Sequence, residues 1–317
     1  MQRFRHIYAF RPDGTLANPT VFGYISDYDP TKMAEELNKL CKETGRESIK
    51  RICGILGVCM TWQRLEIAQS YKSLFGEDLE VALKHALSGD AEKLALGLLL
   101  SRPQYCAEFL HKAMKGAGTD EHKLIQVLSM QTNEELNAIK KAYKEAYEVS
   151  LEEALEGETS GTFKKILIAL VQASRVEVSA EEMTRAYDSG NIDSLMNESS
   201  ALEQAQELYK AGEGMRGTDD DVFIKILVRQ SHFQMPLICQ TYESLPENEK
   251  NNTLESVIKS EFSGPTEEAL LSILAYLKNP QKACAQLLLD ATKGMGTNED
   301  LLNYVIVTRS EVSLFSE

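Results

Sequence analysis

A chain of 317 residues with 43% hydrophobic content is long enough for a sizeable core, and 48 acidic against 34 basic side chains leave it a net charge of −14. That balance argues against a nucleic-acid partner and against simple electrostatic adhesion to an anionic membrane. The six cysteines, at positions 41, 53, 59, 106, 239 and 284, have neither metal-ligand pairing nor the density of a small secreted scaffold, so they read as reduced thiols. No apolar run approaches the ~18 residues of a membrane span, and the N-terminus has Arg3, Arg5 and Arg11 but no apolar segment of a signal peptide, so a cytoplasmic chain is expected.

Residues 1–29, with Pro12, Gly14, Pro19 and Gly23, read as an extended tail. Helical spacing starts at Asp29-Pro30, with proline at the first helical position, and continues through Met33, Leu37 and Leu40 and then Ile49, Ile52, Ile55 and Leu56. Trp62, Leu65, Ile67, Tyr71 and Phe75 are expected in the core. A second set of stripes starts at Pro103 and carries Phe109, Leu110, Leu124, Val127, Leu136, Ile139 and Tyr143. It closes on a run from Phe163 to Val171, apolar almost all round and therefore buried. After Arg175 the chain turns polar, which predicts a long linker with a short helix near residues 180–187. Asn197-Glu198-Ser199 matches a glycosylation acceptor by chance.

Between the first two helices of this second set stands Met114-Lys115-Gly116-Ala117-Gly118-Thr119-Asp120-Glu121, with Glu158 about forty residues on. Paired glycines let consecutive carbonyl oxygens turn toward one point, where they would suit a hard cation such as calcium together with a bidentate carboxylate. Thr119 would then cap the next helix. A single loop of this kind could equally be a helix-to-helix turn with glycine as C-cap. The loop recurs, however, at Ala211-Gly212-Glu213-Gly214-Met215-Arg216-Gly217-Thr218 and at Lys293-Gly294-Met295-Gly296-Thr297. A second element recurs with it, Leu87-Ser88-Gly89, Thr159-Ser160-Gly161 and Phe262-Ser263-Gly264. Recurrence on this scale means an array of one supersecondary unit.

These residues resemble the annexins, over nearly the whole chain beyond its first twenty residues. The resemblance implies an all-α array of five-helix repeats: repeat one at 30–102, repeat two at 103–174, a linker at 175–200, repeat three at 201–278 and an incomplete repeat four at 279–317. It further implies that repeats one and four pack as one module, and two and three as the other. The implied calcium ligands are Met114, Gly116, Gly118 and Glu158 in repeat two and Gly212, Met215, Gly217 and Glu261 in repeat three. Thr292, Gly294 and Gly296 form a further carbonyl loop without an acid. Repeat one has Cys41 to Glu47 where the loop belongs and Ala86 where the acid belongs, so no site is expected there.

In repeat three the acid lies 44 residues after Gly217, against 40 between Gly118 and Glu158. The excess, residues 245–253, is expected on the face away from the membrane. The missing end of repeat four should leave Leu301, Leu302, Val305, Ile306, Leu314 and Phe315 uncovered, which would favour self-association.

The function this implies is calcium-dependent binding to acidic phospholipid membranes, peripheral and not enzymatic. No nucleophile and base pair is evident, and His6, His85, His111, His122 and His232 lie scattered. The alternative is a calcium-independent helical scaffold that binds a protein partner through its tail or the 175–200 linker.

Overall fold

The computed structural model describes residues 28–43, 45–116, 118–293 and 296–311. The tail at 1–27 and residues 312–317, including Leu314 and Phe315, lie outside that range. Among the described residues the chain forms helices and no strands.

Repeat one runs α1 (Pro30–Lys42), α2 (Arg46–Val58), α3 (Thr61–Phe75), α4 (Leu79–Ala86) and α5 (Gly89–Leu98). Repeat two runs α6 (Arg102–Met114), α7 (Glu121–Leu128), α8 (Asn133–Tyr147), α9 (Leu151–Glu158) and α10 (Gly161–Val171). The linker holds α11 (Ala180–Asp188) and a short 3-10 turn, Ile192–Leu195. Repeat three runs α12 (Glu198–Ala211), α13 (Asp220–Arg229), α14 (Gln234–Glu243), α15 (Leu254–Glu261) and α16 (Gly264–Lys278), and α17 (Pro280–Thr292) and α18 (Glu299–Arg309) begin a fourth.

The helix starts are written in local chemistry. Asp29 caps α1 by accepting from the Thr31 and Lys32 amides at 3.0 and 3.2 Å, with Pro30 in the first turn. Thr132 with Glu135, Ser150 with Glu153 and Ser179 with Glu182 form reciprocal capping boxes for α8, α9 and α11. Asn197 is the cap of α12, its side chain accepting from the Ser200 amide at 2.9 Å.

The chain divides into two compact units, Met1–Tyr105 with Cys284–Glu317, and Cys106–Ala283. Within the second, α7, α10, α13 and α16 pack on one another, and Ile166, Leu167 and Val171 of α10 are fully buried, as the apolar run predicted. Each such side chain contributes about 1.5–3 kcal/mol when removed from water.

In the first unit α1 packs on α3 and α18 on α5. Leu301 and Val305 are buried and α18 packs on α5, so the expectation that they lie uncovered is corrected, while Leu302 and Ile306 are half-buried. The core expectation for α3 is corrected as well. Ile67 and Tyr71 are buried, but Trp62 is 48%, Leu65 42% and Phe75 38% exposed. The helix carries apolar residues on all sides and only one side meets α1, so periodicity could not say which of them turn inward.

What the interior of this unit does hold is a charge. Arg64, 1% exposed, donates from Nε to the Leu98 carbonyl at 2.7 Å and from Nη1 to the Leu56 and Cys59 carbonyls. Its Nη2 pairs with Glu311 at 2.8 Å, and the same carboxylate accepts from the Thr61 amide and hydroxyl at 2.6 and 2.7 Å. Nη2 also donates to the Thr61 hydroxyl at 2.9 Å, so every donor of the guanidinium faces an oxygen, the condition under which a buried arginine is tolerated.

Candidate cation loops

The loop of repeat two begins where α6 ends at Met114 and is closed by a long backbone bond, from the Asp120 amide to the Ala113 carbonyl at 2.9 Å. Between these anchors Gly116 and Gly118 hold φ of 125° and 104°. A Cβ at either would meet nothing within 4 Å. Glycine is therefore needed for the backbone conformation and not for space.

The other two loops close in the same way. The Asp219 amide bonds the Ala211 carbonyl at 2.8 Å, and the Asn298 amide bonds the Ala291 carbonyl at 2.7 Å. Gly217 and Gly296 take φ of 90° and 104°. Gly294 lies outside the described residues.

The residue that caps the following helix is not the threonine. Asp120 caps α7, its side chain accepting from the Lys123 amide at 3.2 Å, and Asn298 caps α18 through the Leu301 amide. Thr119 is thereby released for another task. Its hydroxyl reaches the Glu158 carbonyl at 3.1 Å and the Glu158 carboxylate at 3.3 Å. Thr218 does the same in repeat three, donating to Oε2 of Glu261. Both acids are the last residue of a short capped helix, α9 or α15, and each is drawn to its loop by the hydroxyl that follows the loop's last glycine. The Gly-Thr step appears in all three loops, so the repeat itself was the available signal for this role.

The structure therefore brings Glu158 to the Gly116–Gly118 loop and Glu261 to the Gly212–Gly217 loop. The Met114 side chain is buried, which leaves its carbonyl as the group it can offer, and Met215 is exposed. Thr292 ends α17, with its hydroxyl bonded back to the Leu288 carbonyl at 2.9 Å. Beside the repeat-two loop, His111 of α6 stacks on Tyr147 at 3.7 Å and its Nδ1 lies 3.3 Å from the Tyr143 hydroxyl. Burial, with smaller contributions from Tyr147 and Glu158, pushes the Tyr143 phenol up to about 12. Burial and then Lys115 hold the His111 imidazole below its usual range. These groups are neutral packing for the last turn of α6.

Segment 245–253 is not remote from its loop. Asn252 donates from Nδ2 to Glu213 at 2.5 Å, so this segment, expected on the face away from the membrane, touches the loop of its own repeat.

Repeat one has no counterpart. Only residues 43–45 separate α1 from α2, and Ala86 ends α4. Among the described residues no group of three or more His, Cys, Asp or Glu stands close enough to hold a metal. Any ion at these loops would be held chiefly by backbone oxygen with one carboxylate, a donor set that fits a hard cation of the calcium type.

Fold and loops together define a helical-repeat protein with closed glycine loops between the first two helices of its second, third and fourth repeats. Comparison with known proteins agrees. The family model described as Annexin matches residues 32–98, 105–170 and 203–273, and human annexin A13 is 38% identical over 287 residues, 90% of this chain and 84% of that protein. Among solved structures, annexin III superposes with a TM-score of 0.84 at 33% identity, covering 97% of this chain and 87% of that one. Calcium-bound annexin (Sm)1 gives 0.79 at 30% identity, covering 96% and 85%. The chain belongs to the annexin family, whose members generally bind phospholipid in a calcium-dependent way and are generally not enzymes. Among the described residues no helix is long and apolar enough to cross a membrane.

Proposed function

We propose that this protein docks on acidic phospholipid membranes through calcium held in repeats two and three. The ligands would be the carbonyls of Met114, Gly116 and Gly118 with the Glu158 carboxylate, and those of Gly212, Met215 and Gly217 with Glu261. The observation that carries this is the repeated link from Thr119 to Glu158 and from Thr218 to Glu261, which brings one carboxylate to the closed loop of repeat two and one to that of repeat three.

Bound calcium would supply the positive charge that lets a chain of net charge −14 approach anionic phosphoryl oxygens. The residues do the remainder. The glycines turn the backbone, the threonines hold the acids, and the exposed loops leave coordination positions open to a lipid oxygen, since three carbonyls and one bidentate carboxylate fill about five of the six to eight that calcium takes.

The test is sedimentation with vesicles of phosphatidylserine and phosphatidylcholine, with calcium and with chelator. The chain should pellet only with calcium, and the Glu158→Gln, Glu261→Gln double variant should stay in solution while keeping its helical circular dichroism. A chain that stays in solution both with calcium and with chelator would instead support the scaffold alternative, and pelleting that ignores the chelator would overturn the calcium requirement.

A further inference from the structure

The two complete loops differ by one residue. Repeat two runs from Ala113 to Asp120 between its closing bond partners, and repeat three from Ala211 to Asp219. The extra length folds back on α12. The Gly214 amide donates to the Tyr209 carbonyl at 2.8 Å and the Met215 amide to the Gly212 carbonyl at 3.1 Å. A Cβ on Gly214 would stand 3.0 Å from both Lys210 Cα and the Tyr209 oxygen, which makes this close return a glycine position.

Glu213 lies on this return, between Gly212 and Gly214. Its Oε2 accepts from the Tyr242 hydroxyl at 2.9 Å and its Oε1 from Asn252 Nδ2 at 2.5 Å. Both partners are themselves fixed. Tyr242 is fully buried on α14. Asn248, 3% exposed, donates to the Tyr242 and Asn252 carbonyls, each at 3.0 Å, and accepts from the Asn252 amide at 2.9 Å. Tyr209, on the last turn of α12, donates to the Glu247 carbonyl at 2.8 Å. Tyr242, Asn248 and Asn252 all come from residues 244–253 or from α14, the helix that precedes them. In repeat two the connection between α8 and α9 is only residues 148–150.

We propose that Glu213 is a positioning residue for the repeat-three cation site, and that segment 244–253 is a brace grown to hold a loop one residue longer than its neighbour. The proposal rests on the cation-binding reading of that loop. Both Glu213 oxygens are engaged by Tyr242 and Asn252, so the residue acts through the backbone on either side of it, keeping the Gly212 and Met215 carbonyls in register with Glu261. This is the role that outer-shell groups have in metal sites, where their loss typically costs about 10–100-fold in affinity.

The experiment is calcium titration calorimetry on the full chain carrying Glu158→Gln, so that repeat three dominates the signal. Adding Glu213→Ala should lower the calcium affinity about tenfold or more. Glu213→Gln should stay close to the parent, because its amide oxygen can still accept from Asn252 while its nitrogen donates to the Tyr242 hydroxyl. Asn252→Ala should fall between them, and it carries the test should Glu213→Ala fail to fold by circular dichroism.

An unchanged affinity in both Glu213→Ala and Asn252→Ala would overturn the proposal. So would a Glu213→Gln variant as weak as Glu213→Ala, which would show that the charge itself serves the ion. Glu261→Gln in the same background separates the two levels. If it abolishes binding while the Glu213 and Asn252 variants do nothing, only the brace is wrong. If it too changes nothing, the reading of the site is wrong and the brace goes with it.

Discussion

The first and second repeats are built to one plan and use it differently. Both pass from fourth to fifth helix through the same Ser-Gly turn, with Ser88 and Ser160 extended at φ −150° and −145° and Gly89 and Gly161 both at φ 62°. Both bury the leucine that precedes that turn by four or five residues, Leu83 and Leu155. Yet the second keeps a glycine loop between α6 and α7, with Gly116 and Gly118 exposed, and ends α9 on Glu158, while the first reduces the connection to residues 43–45 and ends α4 on Ala86. The five-helix scaffold does not depend on the glycine loop. The proposed site is a surface addition, made by a few loop residues and one carboxylate, and it can be absent without loss of the fold.

The sharpest way to break this comparison is to attack each unit's interior and watch the other. Arg64→Ala removes a guanidinium that faces the Leu56, Cys59 and Leu98 carbonyls and Glu311. The unit containing repeat one should lose about 3 kcal/mol, discounted because Glu311 is partly exposed. Hydrogen exchange resolved by peptide should show that loss in residues 30–99, with calcium affinity at the repeat-two and repeat-three loops unchanged. A matching fall in calcium affinity would mean that the loops depend on repeat one after all.

Acid should act on the other unit. His232 packs edge-on against Tyr276, with Nδ1 3.3 Å from the Leu277 carbonyl. Burial first, and then Arg175, bring its imidazole down to about 4. Below an unfolded value of about 6.5 the unfolded chain takes up a proton that the fold refuses, so stability falls between about pH 6.5 and 4 and then levels off, a loss of about 3 kcal/mol. Denaturant melts across that range should show it, and His232→Gln should flatten the profile; an unchanged profile in that variant would assign the acid sensitivity elsewhere.

The smallest effect expected is none. Ala86→Glu restores the acid of repeat one but not the carbonyls, and a lone carboxylate without converging oxygens is a weak calcium ligand. Calorimetry should find no additional bound calcium. A new equivalent would show that residues 43–45 form a better loop than their length suggests.

Much of the site was legible because its parts are local and repeated. Gly116 and Gly118, Glu158, and the turns at Gly89, Gly161 and Gly264 announce their backbone needs by residue type, and three copies separate signal from chance. The task of Thr119 was misread because a threonine before a helix is an ordinary N-cap, and only the position of Glu158 shows why Asp120 takes that place instead. Trp62 and Leu65 were misread because an apolar residue on a helix reports a preference for burial, while burial itself requires a neighbour.

What the sequence determined by itself, then, is whatever depends on neighbours a few residues apart: helix starts, capping boxes, glycine turns and the periodic stripes that face the cores. Tertiary structure alone decided the contacts between residues far apart in the chain. Among these are Arg64 meeting Glu311, α18 packing on α5, and the Asn252 side chain reaching Glu213. The reason is physical. A cap or a turn is satisfied within its own segment, but a buried charge or a helix face is satisfied only by whatever the fold brings beside it, and no local pattern encodes that partner.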